Sequence, residues 1–317
     1  MKKTLVIGLI MIISVSMLFA ETIEEKLQKF GQENAEKFIQ PAVNCFSGNL
    51  NSGLYNTAKV LKPFRFQLSF NVMTTFVPDE DKSFNVTNPF IGDTFNPYQE
   101  NEIETATIFG TDGGSFTGVT EVNGVPVSID PLKMPDGLDL AGLPLVMPQF
   151  ALGLPFGNEV QLRYFPKTEV DKEIGDVGFL GIGVKHSIDQ YFPGIIPIDV
   201  AIQGFYQKLE VGELIEIKSL AANAQLSKKF LIFTFYGGLG WEKTDFLAEY
   251  KFTKETFNPS NPAVPIVTEI PVKLELESDN SMKATVGMRL SLLFLKLYGD
   301  YSFAKYNTAN VGIGLGF

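Results

Sequence analysis

Apolar and polar residues alternate along much of this chain, most strictly at its end. Ala309, Val311, Ile313, Leu315 and Phe317 fall on one face of an extended segment, and Asn310, Gly312, Gly314 and Gly316 on the other. An early stretch repeats the pattern, with Phe64, Phe66, Leu68, Phe70 and Val72 set against Arg65, Gln67, Ser69 and Asn71. From Pro148 onward the pattern predicts a meander. Phe150, Leu152 and Leu154 lead to a turn at 155–158, Val160, Leu162 and Tyr164 return against Glu159, Gln161 and Arg163, and Leu180, Ile182 and Val184 follow opposite Gly181, Gly183 and Lys185. Further strands are expected over 198–209 and 214–226, with a turn at Lys228 and Lys229. Residues 78–147 are irregular and begin with Asp79, Glu80 and Asp81. Two candidate strands lie inside them, 103–110 and 116–122, the second followed by the tight-turn pair Asn123 and Gly124.

The closing stretch resembles the last strand of a Gram-negative outer-membrane β-barrel. In that family a polar residue, a glycine two positions on and two hydrophobic or aromatic residues at the end form an assembly signal. Asn310, Gly312, Leu315 and Phe317 hold that spacing, with Leu315 where an aromatic is more usual. The resemblance implies an all-β fold, an antiparallel transmembrane meander β-barrel in the outer membrane. It also implies outer-membrane lipid, lipopolysaccharide and the barrel assembly machinery as partners. The last strand would run from outside to periplasm, so 297–305 runs outward and the strand ending near Leu293 runs inward. That inward strand keeps one phase through Thr268, Ile270, Val272, Leu274, Leu276, Met282, Ala284, Val286, Met288, Leu290 and Leu292. It reads as a single strand of about 25 residues, where a crossing needs only about 9–11. Its partner over 230–252 changes phase, from Leu231, Phe233, Phe235, Leu239 and Trp241 to Phe246, Ala248, Tyr250 and Phe252, and a β-bulge near 243–245 accounts for the change. The pair is expected to project as an extracellular hairpin, 244–278, capped by the proline-rich loop 258–265. With the two candidates of the irregular region the wall would have about 12 strands, in an even range of about 10 to 14.

The N-terminus predicts a secretory signal peptide over 1–20, with Lys2 and Lys3, an apolar run and Ala20 before Glu21. Thr22 and Glu25 make a capping-box start, and Ile23, Leu27, Phe30, Phe38 and Ile39 recur at helical spacing up to Pro41. A turn-rich piece over 44–59 follows. Residues 21–60 thus precede the barrel (61–317) as a helical segment, either plugging the lumen or lying beneath it in the periplasm. In place and length, with Asn51, Gly53 and Ala58 just before the first strand, it resembles the N-terminal hatch of FadL-type transporters. That resemblance implies passage of long-chain fatty acids or other hydrophobic small molecules.

Charge and composition narrow the chemistry. Removing Lys2 and Lys3 with the leader takes the formal net charge from −10 to −12, which argues against nucleic acid and anionic surfaces as partners. Outside the leader no apolar run is long enough to cross a bilayer as a helix, so a membrane form must be a closed barrel. One cysteine, Cys45, excludes an internal disulfide framework. The 28 phenylalanines suit a wall that meets lipid or a lumen that meets an oily ligand. The single histidine, His186, shares the outward phase of Ile182 and Val184, and no serine is placed to pair with it, so no catalytic residue is expected. No metal motif and no cofactor are expected: the glycines at 237, 238 and 240 and at 312, 314 and 316 do not precede a helix. Glycines on the lumen face instead leave room near the closing seam for a plug or a ligand.

The inward face is where function is to be sought. Alternation puts Arg65, Gln67, Asn71, Arg163, Lys185, Asp199, Gln203, Lys283, Arg289 and Asp300 there, with Ile232 and Tyr236 as apolar members. Charges of both signs suit a network that fills a narrow barrel. The expected function is passive transport of hydrophobic small molecules across the outer membrane of a Gram-negative bacterium. The alternative is a structural or surface-interaction barrel that binds an extracellular partner through its long loops.

Overall fold

The computed structural model describes residues 32–316 except 89, 92–95, 123–124, 172–174, 193–196, 213–214 and 257–265. The leader, the capping-box start, the turn pair Asn123 and Gly124, the loop 258–265 and Phe317 lie outside the described residues. Helix α1 (Gln32–Leu50) comes first, followed by β1 (Phe66–Phe76). Two small hairpins follow, β2 (Ser83–Thr87) with β3 (Glu102–Ala106), and β4 (Ser115–Val122) with β5 (Val125–Lys133). The meander is β6 (Gly142–Leu154), β7 (Asn158–Asp171), β8 (Gly175–Ser187), β9 (Asp199–Val211), β10 (Ile215–Phe230), β11 (Phe233–Thr256), β12 (Ile266–Glu277), β13 (Met282–Leu292), β14 (Leu295–Phe303) and β15 (Thr308–Gly316).

Ten strands close on themselves in an antiparallel barrel: β1 pairs with both β6 and β15, and β10 pairs with β11. Strand β12 is an extra strand, held by the far half of β11. The wall therefore has ten strands rather than twelve. The candidates at 103–110 and 116–122 do form strands, β3 and β4, but each pairs with a neighbour in its own hairpin. Strand β1 has no free edge to offer them. The turn expected at Lys228 and Lys229 is also displaced: both residues remain paired, with Phe235 and Thr234, and the chain reverses at 231–232. Tight turns at 155–157, 231–232 and 293–294 define a short-turn end, and the opposite, long-loop end carries β2–β5 and the β11–β12 extension.

Toward the short-turn end the wall is apolar outside and polar inside. Leu162, Ile182, Ile202, Leu226, Phe235, Leu239, Val286 and Ile313 are exposed, while Gln161, Gln203, Gln225, Thr234 and Thr285 are buried. So continuous an apolar belt suits hydrocarbon rather than water. Toward the long-loop end the polarity reverses. Lys167, Lys208, Lys218, Lys243, Lys273 and Glu277 point outward, and Phe165, Phe179, Leu209, Ile217, Phe246 and Leu274 are buried inside.

Strand β11 makes this change with no bulge. Its pairing with β10 is unbroken from Phe233↔Phe230 to Ala248↔Ile215, and even-numbered residues face inward from Thr234 through Ala248. The phase change in its sequence is an inversion of amphipathicity at constant geometry, so the expected bulge at 243–245 is absent. The extra residue lies on the partner side. Between Asp245↔Glu277 and Trp241↔Met282, four steps along β11 meet five along the partner, and the non-strand stretch 278–281, bonded to β11 through Ser278 N to Thr244 O and Glu242 N to Ser281 O, separates β12 from β13. The long strand expected over 268–292 is thus two strands. Its unbroken hydrophobic phase switches faces because the backbone slips by one residue: Leu274 is buried inward, and Met282 is exposed outward.

Helix α1 runs through Pro41 instead of stopping there. Proline removes one helical bond at a cost of about 3 kcal/mol. Burial of Ala42, Val43, Cys45, Phe46 and Leu50 beyond it supplies the compensation. These side chains join Ile108, Phe109, Phe116 and Met134 from the loop region and the inward apolar residues of the upper wall in one hydrophobic core. The helix packs against β1, β6, β11 and β12 inside the long-loop end. Gly48 permits its closest approach: a Cβ there would lie 2.5 Å from Thr75 Oγ1 and 2.7 Å from Thr308 Oγ1.

Candidate functional site: the plug seat in the lumen

After α1 the chain descends through the barrel to the short-turn end. Asn34 Nδ2 donates to Thr87 O beside the loops, Asn44 accepts from Ser278 Oγ at 3.2 Å and from Asp279 N at 2.9 Å, and Leu61 N donates to Glu159 Oε2 at 2.9 Å near the other end. Between these points the backbone of 50–57 offers a row of carbonyls, and the wall answers those of Leu50, Asn51, Ser52, Leu54 and Thr57 with donors. Arg163 is central and fully buried. Its Nη1 donates to Leu50 O at 2.8 Å and to Gln207 Oε1 at 3.1 Å, its Nη2 to Ser52 O at 2.8 Å, and its Nε to Gln149 Oε1 at 2.8 Å. The guanidinium also lies 5.5 Å from the centre of the Phe205 ring.

Gln207 Nε2 gives a second bond to Leu50 O at 2.7 Å, and Gln149 and Gln203 both donate to Leu54 O, at 3.1 and 3.2 Å. Lys283 Nζ reaches Asn51 O and pairs with Glu242 at 2.8 Å. Lys185 Nζ reaches Thr57 O at 3.4 Å and pairs with Glu159 at 3.0 Å, and Arg289 Nη1 donates to Asn56 Oδ1 at 2.8 Å. A chain without sheet or helix partners can be buried only if its backbone groups are satisfied in this way. Leu54 and Tyr55 add an apolar contact with Phe205, Ala221 and Tyr236.

Seven of the expected lumen residues, Gln67, Asn71, Arg163, Lys185, Gln203, Tyr236 and Lys283, are buried in the lumen, and Asp199, Arg289 and Asp300 are partly buried there. Arg65 is exposed at the short-turn mouth. Ile232 does not line the lumen: it sits in the 231–232 turn, exposed, because β10 runs on to Phe230. Of the closing-strand residues, Asn310 donates to Asp300 Oδ2 at 2.7 Å and Leu315 is exposed outside. The space left by Gly312 is filled by the Tyr298 ring, which a Cβ would approach to 2.2 Å, so an aromatic of the neighbouring strand occupies this part of the seam. Sequence reasoning did not place Gln207, Gln225, Asn223 or Glu242 in the lumen. The first three were available from alternation on β9 and β10. Glu242 was hidden by the polarity inversion of β11. His186 faces outward, bonded to Asn158 Oδ1 at 2.8 Å and Tyr191 Oη at 2.9 Å.

The fold and its interior define a class: a closed antiparallel barrel occupied by its own N-terminal chain. A family model matches residues 1–317, and the chain belongs to that family, DUF6588, a family of unknown function. No curated protein matches the chain. Solved structures similar to it are outer-membrane barrels. OmpT of Vibrio cholerae is 10% identical over 80% of this chain and 98% of its own, with a TM-score of 0.25. Ail, the attachment invasion locus protein of Yersinia pestis, solved with sucrose octasulfate, is 10% identical over 80% and 99%, with a TM-score of 0.23. The outer membrane protease OmpT of Escherichia coli is 10% identical over 82% and 100%, with a TM-score of 0.27. Scores this low carry no argument about activity, and the barrel rests on the closure of its own strand pairing.

Proposed function

We propose that this protein is a non-enzymatic outer-membrane barrel of a Gram-negative bacterium, closed to passive flow by its own N-terminal segment. Its folded long-loop end faces outward as an interaction surface. The observation that carries this reading is the seal. Leu50, Asn51, Ser52, Leu54 and Ala58 expose between 0 and 3% of their surface, so the plug packs closely against the wall along this stretch. The reversal of polarity along β7 to β12 supports a wall that leaves lipid and continues into water. Passive transport of hydrophobic molecules is the second reading. The apolar core around α1 favours it, since a hydrophobic cargo could replace those contacts if the plug moved.

The test is conductance of the purified protein in planar bilayers, with uptake of a fluorescent fatty acid into proteoliposomes. The expected result is no steady open level and no uptake above empty vesicles. Either steady conductance or saturable uptake by the wild-type protein would overturn the closed-barrel reading.

A further inference from the structure

At the short-turn mouth the descending plug and the wall enclose a cavity of about 360 Å3. That is near the lower limit of the roughly 300–1,000 Å3 typical of small-molecule sites. Its charge is one-sided: Lys59, Lys62, Arg65, Lys185, Arg289 and Lys296 line it against a single carboxylate, Glu159. Glu159 is already spent on Lys185 and on Leu61 N. Among the described residues no ion pair links the other five cations to a carboxylate, although the chain as a whole carries a net charge of −10. Arg289 has donor capacity to spare, for its buried Nε has no hydrogen-bond partner among the described residues while Nη1 holds Asn56. Cations gathered around one small space without direct ion pairs repel each other, Arg289 being offset in part by the more distant Asp199 and Glu159, and a bound anion would remove that repulsion.

We infer that this cavity is a binding site for a phosphate-bearing anion. The guanidinium groups of Arg289 and Arg65 suit phosphate oxygens in fork geometry, with Lys59, Lys62 and Lys296 as point charges around them. The phosphate has two possible sources, a soluble phosphate in the aqueous compartment at this end or a phospholipid headgroup entering from the adjoining leaflet.

The experiment is isothermal titration of the full-length folded barrel, in zwitterionic detergent at pH 7, with inorganic pyrophosphate. A parallel arm measures retention of phosphatidylglycerol against phosphatidylcholine from mixed nanodiscs. The variants are Lys62→Gln with Arg65→Gln, both at exposed positions with no side-chain hydrogen bond or ion pair to another described residue, and Arg289→Lys. Lys208→Gln, far away on the outer wall, is the control. Saturable binding in either arm, weakened about tenfold or more by the mouth variants and unchanged by Lys208→Gln, is expected, and the arm that responds names the source. No binding in both arms, or binding that the mouth variants leave unchanged, overturns the inference. Heat-dependent gel mobility of each variant separates loss of the site from loss of the fold.

Discussion

Replacing Arg163 with alanine tests whether the plug is seated by the wall or merely trapped in it. The substitution removes four hydrogen bonds from a charged donor, to Leu50 O, Ser52 O, Gln149 and Gln207. Such bonds are worth about 1.5–3 kcal/mol each before offsets. Against this stands the relief of desolvating a fully buried cation, which costs several kcal/mol. The orphaned acceptors then decide the balance. Leu50 O keeps its bond from Gln207 Nε2, whereas Arg163 is the one donor described for Ser52 O, and a buried unsatisfied carbonyl costs about 1–3 kcal/mol. A net loss of about 3 kcal/mol is expected, roughly a hundredfold in the closed-to-open ratio of the plug. Hydrogen exchange of the backbone at 49–58, followed by mass spectrometry, measures that ratio locally, while heat-dependent mobility reports whether the barrel persists. The variant should exchange about a hundred times faster in this segment alone. Unchanged protection there, or acceleration spread evenly over the wall strands, would refute the reasoning. Arg163→Lys should restore only part of the protection, because one ammonium cannot span both carbonyls as the fork does.

Other consequences follow from the same structure. Val286→Arg places a charge within the outward apolar belt and should cost about 2–4 kcal/mol in vesicle-based urea unfolding, while Leu247→Arg, outward but among the charges of the upper wall, should cost under about 0.5 kcal/mol. Equal costs would remove the lipid-to-water boundary drawn between them. Leu231 and Leu293 hold left-handed conformations, φ 54° and 53°, at short-turn reversals. Replacing either with glycine should raise the unfolding free energy by about 0.5–1 kcal/mol, and a lower urea midpoint would show that the leucine contacts outweigh the strain. On the outer wall above the belt, hydrogen bonds from Lys208 hold Glu210 and Glu216 below the usual carboxylate range. Because the folded-state values are depressed, the stabilisation is complete above the unfolded carboxylate range and is lost as pH falls through the folded values. Wild-type stability should therefore drop more than that of Lys208→Gln on acidification below about pH 4.3, less so in high salt. Parallel pH profiles would contradict it.

The ten wall strands could be read from alternation because period two is a local property. Every side chain that faces outside or lumen repeats it, and the strand from Phe64 onward, with those after Pro148 except β12, entered the barrel. The lumen residues were legible for the same reason wherever the outside was apolar. The reading went wrong where the surroundings change along one strand. At β11 the even positions face inward throughout, but the sequence near Lys243 exchanges apolar and polar faces. That produces the same signature as an inserted residue. On the β12–β13 side the reverse holds, with an unbroken phase concealing a true one-residue slip.

By itself, then, the sequence determined the extended segments of the wall, which residues share a face wherever the surroundings stay constant along a strand, and that a helical segment precedes the wall, since each depends on neighbours within a few residues. It could not decide that the hairpins of the loop region stay out of the wall, because that depends on β1 having both edges taken. Nor could it decide where the helix ends, because Pro41 is tolerated only through the burial of residues around it. The fit between plug and wall belongs wholly to the tertiary structure. Arg163 meets Leu50 and Ser52 across more than a hundred residues of chain, and only closure of the barrel brings that guanidinium to those carbonyls.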